Sequence, residues 1–119
     1  MSVKLFDSEL KVMDALWKEG DLTAGQLAKN LNEQVGWNRN TTYTIIKRLI
    51  EKGAIKRSEP NFTCKAVIDK EQVQQREADE LIGKLFDGSV DVFLSAYISG
   101  NHLSDDVIYR LRQIVEKLR

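Results

Sequence analysis

Residues 37–53, WNRNTTYTIIKRLIEKG, carry the most structural information in the chain. A helix advances about 100° per residue, so side chains three and four apart share a face. Thr42, Ile45, Ile46 and Leu49 follow that spacing and predict one apolar side. Asn40, Thr44 and Lys47 point nearly the opposite way, flanked by Tyr43 and Arg48. Asn38 is placed to cap the start, and Gly53 suits the left-handed position past the end. The spacing therefore predicts a helix over about 39–52 with a polar, basic outer face. Alone, such a face is most often merely solvated. Its neighbours change that balance.

Upstream, Asp7-Ser8-Glu9 reads as a helix start with acid in the first turn. Leu10, Met13, Leu16 and Trp17 form its apolar stripe, and Gly20 ends it. Thr23-Ala24-Gly25-Gln26 fits a capping box, with Gln26 reaching back from the third helical position. A short helix with Leu27 and Leu31 follows, then a gap of about six residues. After Gly53 the periodicity changes. Residues 54–58 and 62–68 are β-prone runs around Glu59-Pro60-Asn61, which predicts a hairpin made basic by Lys56, Arg57 and Lys65. Three helices and a hairpin in this order describe a winged helix, whose second helix crosses a DNA backbone and whose third enters the major groove.

Residues 70–119 read differently. A helix over about 70–86 carries Val73, Ala78, Leu81, Ile82 and Leu85. Asp87-Gly88-Ser89 breaks it, and Ser89 caps a short apolar helix through Tyr97. Ser99-Gly100-Asn101 is expected to turn, and Ser104 to cap a last helix with Asp105 and Asp106 at its positive end. Val107, Leu111, Ile114 and Leu118 make that helix's stripe, widened by Ile108 and Val115. Such a module exposes too much apolar surface to be stable alone. A second copy is the economical cover, which predicts a two-fold homodimer using Leu81, Leu85, Phe86, Phe93, Tyr97, Val107, Leu111, Ile114 and Leu118. The expected organisation is mainly α with a small hairpin: a winged-helix domain over 1–68 and a helical dimerisation domain over 69–119.

Composition sets the outer limits. The chain has 119 residues, 42% apolar and 30% charged, as in soluble globular domains. It has no apolar run near the roughly 20 residues of a membrane span, and its start lacks a signal-peptide core. A cytoplasmic location without membrane insertion is expected. A single cysteine, Cys64, cannot form an internal disulfide. The net charge of zero hides an asymmetry. Residues 38–65 carry 7 Lys/Arg against 2 Asp/Glu, whereas residues 69–119 carry 7 against 10. Positive charge gathers where a polyanion would bind.

The chemistry of single residues follows from that frame. Asn40, Tyr43 and Lys47 are candidates for base edges or phosphates, and Arg39 and Arg48 for backbone phosphates. Thr23 could offer backbone amides to a phosphate at a helix start. Arg57, Asn61 and Lys65 are the candidates on the hairpin. Trp17 and Trp37 read as core anchors rather than base-stacking groups. One His and one Cys cannot complete a zinc site, and Cys64 lacks the neighbours of a redox sensor. There is no Gly-rich phosphate loop and no Ser/His/Asp set. The chain is therefore read as no enzyme, with no cofactor and no metal.

Three segments carry a family resemblance: ELKVMDALWKEGDLTAGQLAKNL, WNRNTTYTIIKRLIEKGAI, and LFDGS followed by LS…LRQIV. In this order they resemble the penicillinase-repressor family of the BlaI, MecI and CopY type. The resemblance implies a dimeric winged-helix repressor on a dyad operator, often of TACA…TGTA type, controlling β-lactam resistance, copper homeostasis or other genes. It also implies that Thr41 and Thr44, which match the family's threonines, touch phosphate or a thymine methyl. Two departures matter. In the β-lactam branch a membrane sensor-protease system leads to cleavage at an Asn-Phe bond, but Ala96-Tyr97 stands here. The copper branch carries a CxC…CxC cluster, which one cysteine cannot supply. The family's wing usually has Gly and aromatics, whereas this one reads PNFTCKAV. Two rival readings are a repressor with a small-molecule pocket and a winged helix that binds protein, the latter favouring an acidic or apolar third helix.

Overall fold

In the computed structural model, which describes residues 3–119, the helix quoted above spans Arg39–Glu51. Asn38 caps it: its Oδ1 accepts from the Thr41 amide at 2.8 Å and the Thr41 hydroxyl at 3.0 Å. Lys52 is the C-cap, and Gly53 follows in the left-handed region at φ 80°, where glycine is unstrained. Thr42, Ile45, Ile46 and Leu49 are all buried. Burying each of the three aliphatic side chains contributes about 1.5–3 kcal/mol.

The order of elements is α1 (Asp7–Glu19), β1 (Leu22–Thr23), α2 (Ala24–Val35), α3 (Arg39–Glu51), β2 (Ile55–Ser58), β3 (Thr63–Ala66), α4 (Lys70–Leu85), α5 (Val90–Gly100) and α6 (Asp105–Lys117). The fold is mainly helical with a small antiparallel sheet, in the winged-helix order. The sheet has three strands in the order β1-β3-β2. The hairpin is as expected, but β1 is additional. Leu22 pairs with Cys64 and Thr23 with Thr63. The Thr23–Gln26 capping box forms with reciprocal bonds of 2.8 and 3.1 Å.

Three boundaries and one helix face differ from the sequence reading. The α2–α3 connection is residues 36–38, shorter than the expected six. It is this tight because Gly36 turns left-handed at φ 75° and its amide donates to the Asn32 carbonyl. Helix α5 runs on to Gly100, so Ser99 and Gly100 are helical and the chain leaves the helix at Asn101. Side-chain bonds reaching four residues back close this last turn: Ser99 Oγ donates to the Ser95 carbonyl, and Nδ2 of the C-cap Asn101 to the Tyr97 carbonyl. The stripe of α1 is rotated: Glu9, Val12, Met13 and Leu16 face the core, while Leu10 and Trp17 are half-buried. Its N-cap is Phe6, one residue before Asp7.

The reason for the rotation is Glu9. Its carboxylate has no exposed surface. Oε1 accepts from the Phe6 amide at 2.7 Å and from Lys52 Nζ at 2.6 Å. Lys52 also donates to the Lys4 carbonyl and lies 4.5 Å from the Phe6 ring centroid. One ion pair thus ties the start of α1 to the end of α3. Burying a carboxylate is costly unless partners such as these compensate it.

The chain packs as two compact units, the first running to Glu77 and the second from Ala78 to Arg119. The first unit's core is built from α1, α2, α3, the sheet and Val73 of α4. Trp17 donates its indole N–H to the Ile68 carbonyl at 3.0 Å. In the second unit Phe86 and Phe93 meet edge to face at 5.2 Å between centroids, and Phe93 lies 6.1 Å from Tyr97. No residue of α5 or α6 is buried. Among the described residues, no helix is long and apolar enough to cross a membrane.

Candidate nucleic-acid interface

The outer row of α3 is built as the spacing requires. Arg39, Asn40, Thr44, Lys47 and Arg48 are exposed, while Thr41 and Tyr43 are half-buried. The two threonines already have internal partners. Thr41 donates its hydroxyl to the Asn38 cap, and Thr44 donates to the Asn40 carbonyl at 2.9 Å. Each hydroxyl keeps lone pairs, and Thr44 is exposed as a residue and carries a methyl of the kind that meets a thymine methyl.

Thr23 pairs with Thr63, beside the turn of the wing. Its amide is spent on Gln26, the Gln26 amide on Thr23, and the Ala24 amide on the Phe62 carbonyl at 2.9 Å. Amide donation to a phosphate at this helix start would therefore compete with bonds already made.

The hairpin divides its cations between two faces. Strand side chains alternate, so residues paired across the ladder share a face. Arg57 pairs with Cys64, and Lys56 with Lys65. Cys64 is buried, so Arg57 lies on the inward face, next to α3. Lys56 and Lys65 lie on the outward face. Lys65 is thus not brought together with the α3 row. Lys56, outside the original candidates, stands opposite it. Two like charges directly opposed destabilise a free hairpin, and an anion between them would relieve that. Asn61 is exposed in the hairpin turn.

A groove of about 580 Å³ lies between α3 and the wing, lined by Tyr43, Thr44, Lys47, Ile50, Glu51, Arg57 and Phe62. Phe62 is the functional-looking residue that the sequence reading missed. Its ring meets Tyr43 edge-on at 5.9 Å, and the Arg57 guanidinium lies 3.6 Å from its centroid. A PNFTC turn announces no such stack, because nothing local fixes which ring faces α3. Lys52 is removed from the surface charge by Glu9, so the basic surplus over 38–65 is smaller outside than the sequence count suggests. Burial pushes the Cys64 thiol up to about 11, with Arg57 pulling it down more weakly. Among the described residues no cluster of three metal-binding side chains occurs.

In the second unit, a groove of about 540 Å³ runs between α5 and α6, lined by Leu94, Ile98, Leu103, Ile108, Leu111 and Val115 with Arg112 and Glu116. Of the candidate contact residues, Leu81, Leu85, Tyr97, Ile114 and Leu118 are exposed, and Phe86, Phe93, Val107 and Leu111 are half-buried. Leu94, Ile98 and Leu103 belong to the same apolar surface but were not among the candidates.

Comparison with known proteins agrees with the winged-helix arrangement of the first unit. The chain is 25% identical over 116 residues to the penicillinase repressor of Bacillus licheniformis, covering 96% of this chain and 91% of that one. It is equally similar to the methicillin resistance regulatory protein MecI of Staphylococcus aureus strain N315, covering 94% of that protein. The solution structure of the DNA-binding domain of the repressor BlaI superposes with a TM-score of 0.54 at 30% identity, over 58% of this chain and 87% of that one. The Bacillus licheniformis BlaI monomeric form in complex with the blaP half-operator gives 0.51 over the same shares. The sequence pattern of the penicillinase repressor family matches residues 5–117, and with nearly the whole chain covered, this protein belongs to that family.

Proposed function

We propose that this chain is a homodimeric transcriptional repressor that binds a dyad operator in double-stranded DNA, acting by binding rather than catalysis. Each copy would place α3 in the major groove of one half-site, with half-sites about one helical turn apart. The observation that carries this reading is the exposed row of Asn40, Thr44, Lys47 and Arg48 beside a basic wing, in a chain of this family. Asn40, Tyr43, Thr44 and Lys47 would reach base edges. Arg39, Arg48 and Arg57 would hold phosphates, with Thr23, Thr41, Asn61 and Lys65 at the margins.

Residues 1–68 would bind DNA and residues 69–119 would pair the copies. Supporting the pairing, Leu85 is 64% and Leu118 82% exposed, and large exposed apolar patches mark interaction sites.

The test replaces Lys47 and Arg48 together with Ala. Selection from a randomised duplex pool by the wild type should return an inverted repeat. Against that repeat, the double variant should bind at least tenfold more weakly, with the salt slope less steep by about two. Unchanged affinity and slope in a folded variant would show that α3 does not face DNA.

A further inference from the structure

A line of four side chains joins α3 to the wing. Arg39 Nη2 donates to the Tyr43 hydroxyl at 2.8 Å, and its guanidinium lies 4.8 Å from the Tyr43 ring centroid. The Tyr43 ring meets the Phe62 ring at 5.9 Å and 89°. The Arg57 guanidinium stacks on Phe62 at 3.6 Å. Beyond it, Arg57 Nε donates to Glu59. Two aromatic rings thus stand between two arginines, one on the helix and one on the hairpin.

Phe62 is held at both ends. Its backbone takes φ 50°, which side-chain-bearing residues rarely adopt. Its carbonyl accepts from the Ala24 amide at the start of α2. The backbone of Phe62 is thus fixed where the hairpin meets the start of α2, which sets the point from which its ring reaches Tyr43. The bonds at the ends leave donors over. Arg39 gives Tyr43 one terminal nitrogen, and the Glu59 bond uses neither terminal nitrogen of Arg57. The terminal nitrogens of a guanidinium are the ones that fork onto phosphate oxygens.

We infer that Tyr43 and Phe62 form a positioning bracket that fixes the wing against α3 and holds Arg39 and Arg57 ready for the phosphate backbone of a DNA duplex. The inference rests on the DNA-binding reading above. Its physical content is preorganisation: a long cation ordered before binding loses less freedom on binding. Cation–π contact supplies the ordering at partly exposed positions.

The test compares wild type, Phe62→Leu and Phe62→Tyr on a random-sequence duplex about three helical turns long. Leucine keeps apolar volume under the wing but removes the aromatic face. Anisotropy is followed across a salt series, with thermal melts alongside. Phe62→Leu is expected to melt cooperatively, bind roughly three- to tenfold more weakly, and show a log–log salt slope less steep by about one. Phe62→Tyr should bind like the wild type. In the free proteins, Nε relaxation should find Arg57 ordered in wild type and Phe62→Tyr but mobile in Phe62→Leu. Tyr43→Leu, which removes both the ring and the hydroxyl that Arg39 touches, should mobilise Arg39; an Arg39 that stays ordered there overturns the bracket at that end, even if Phe62→Leu fails to fold. A wild type that binds while Phe62→Leu keeps its affinity, slope and Arg57 order overturns this inference alone. A wild type that binds no duplex overturns the DNA-binding reading, and the inference with it.

Discussion

Cys64 has no exposed surface and faces Arg57 across the ladder. With its thiol pushed to about 11, about one molecule in a thousand carries the reactive thiolate at pH 8. Labelling by a maleimide at that pH should therefore follow the kinetics of unfolding. Rapid stoichiometric labelling of folded protein would contradict the burial. The sign of the pH dependence follows. The folded thiol ionises above the ordinary value of 9.0, so its contribution to stability is complete below that pH and is lost as pH rises through about 11. Glu9 teaches a different lesson at the same scale. Its sequence context suggested only acid in a first turn, since periodicity reports which way a side chain points but not that a lysine 43 residues later will meet it.

Local chemistry explains which elements were legible. The caps at Asn38, Thr23, Ser89 and Ser104 all form, because each needs only residues within three positions of itself. The core face of α3 was legible for the same reason. Strand β1 was not: two residues carry no periodicity, and pairing with Thr63 and Cys64 alone defines it. Nor was the stack on Phe62, which depends on contacts between a hairpin and a helix. The cap of α3 gives a measurable test. Asn38→Ala removes the acceptor of both Thr41 donors and should cost about 1 kcal/mol. The urea midpoint should fall at unchanged m. An unchanged midpoint would mean that water replaces the cap without loss.

At the scale of the molecule, the second unit has a half-buried aromatic cluster and a large apolar exterior. A chain of 13.6 kDa should sediment at twice that mass at micromolar concentration. Leu85→Asp with Ile114→Asp, both at exposed positions, should return it to the single-chain mass while keeping its helix content. A wild type that sediments as one chain would remove the case for pairing. The two tryptophans add something practical. Trp17 and Trp37 both lie in the first unit, whereas residues 78–119 contain Tyr97 and Tyr109 but no tryptophan. The Trp17 indole is fastened to the Ile68 carbonyl, where the last strand hands over to α4. Fluorescence excited at the red edge, where tyrosine is silent, therefore watches the first unit only, while far-ultraviolet dichroism sees the helices of both. The chain thus carries a built-in optical comparison, in which two superimposed melting curves mean one cooperative transition and two separated curves mean two.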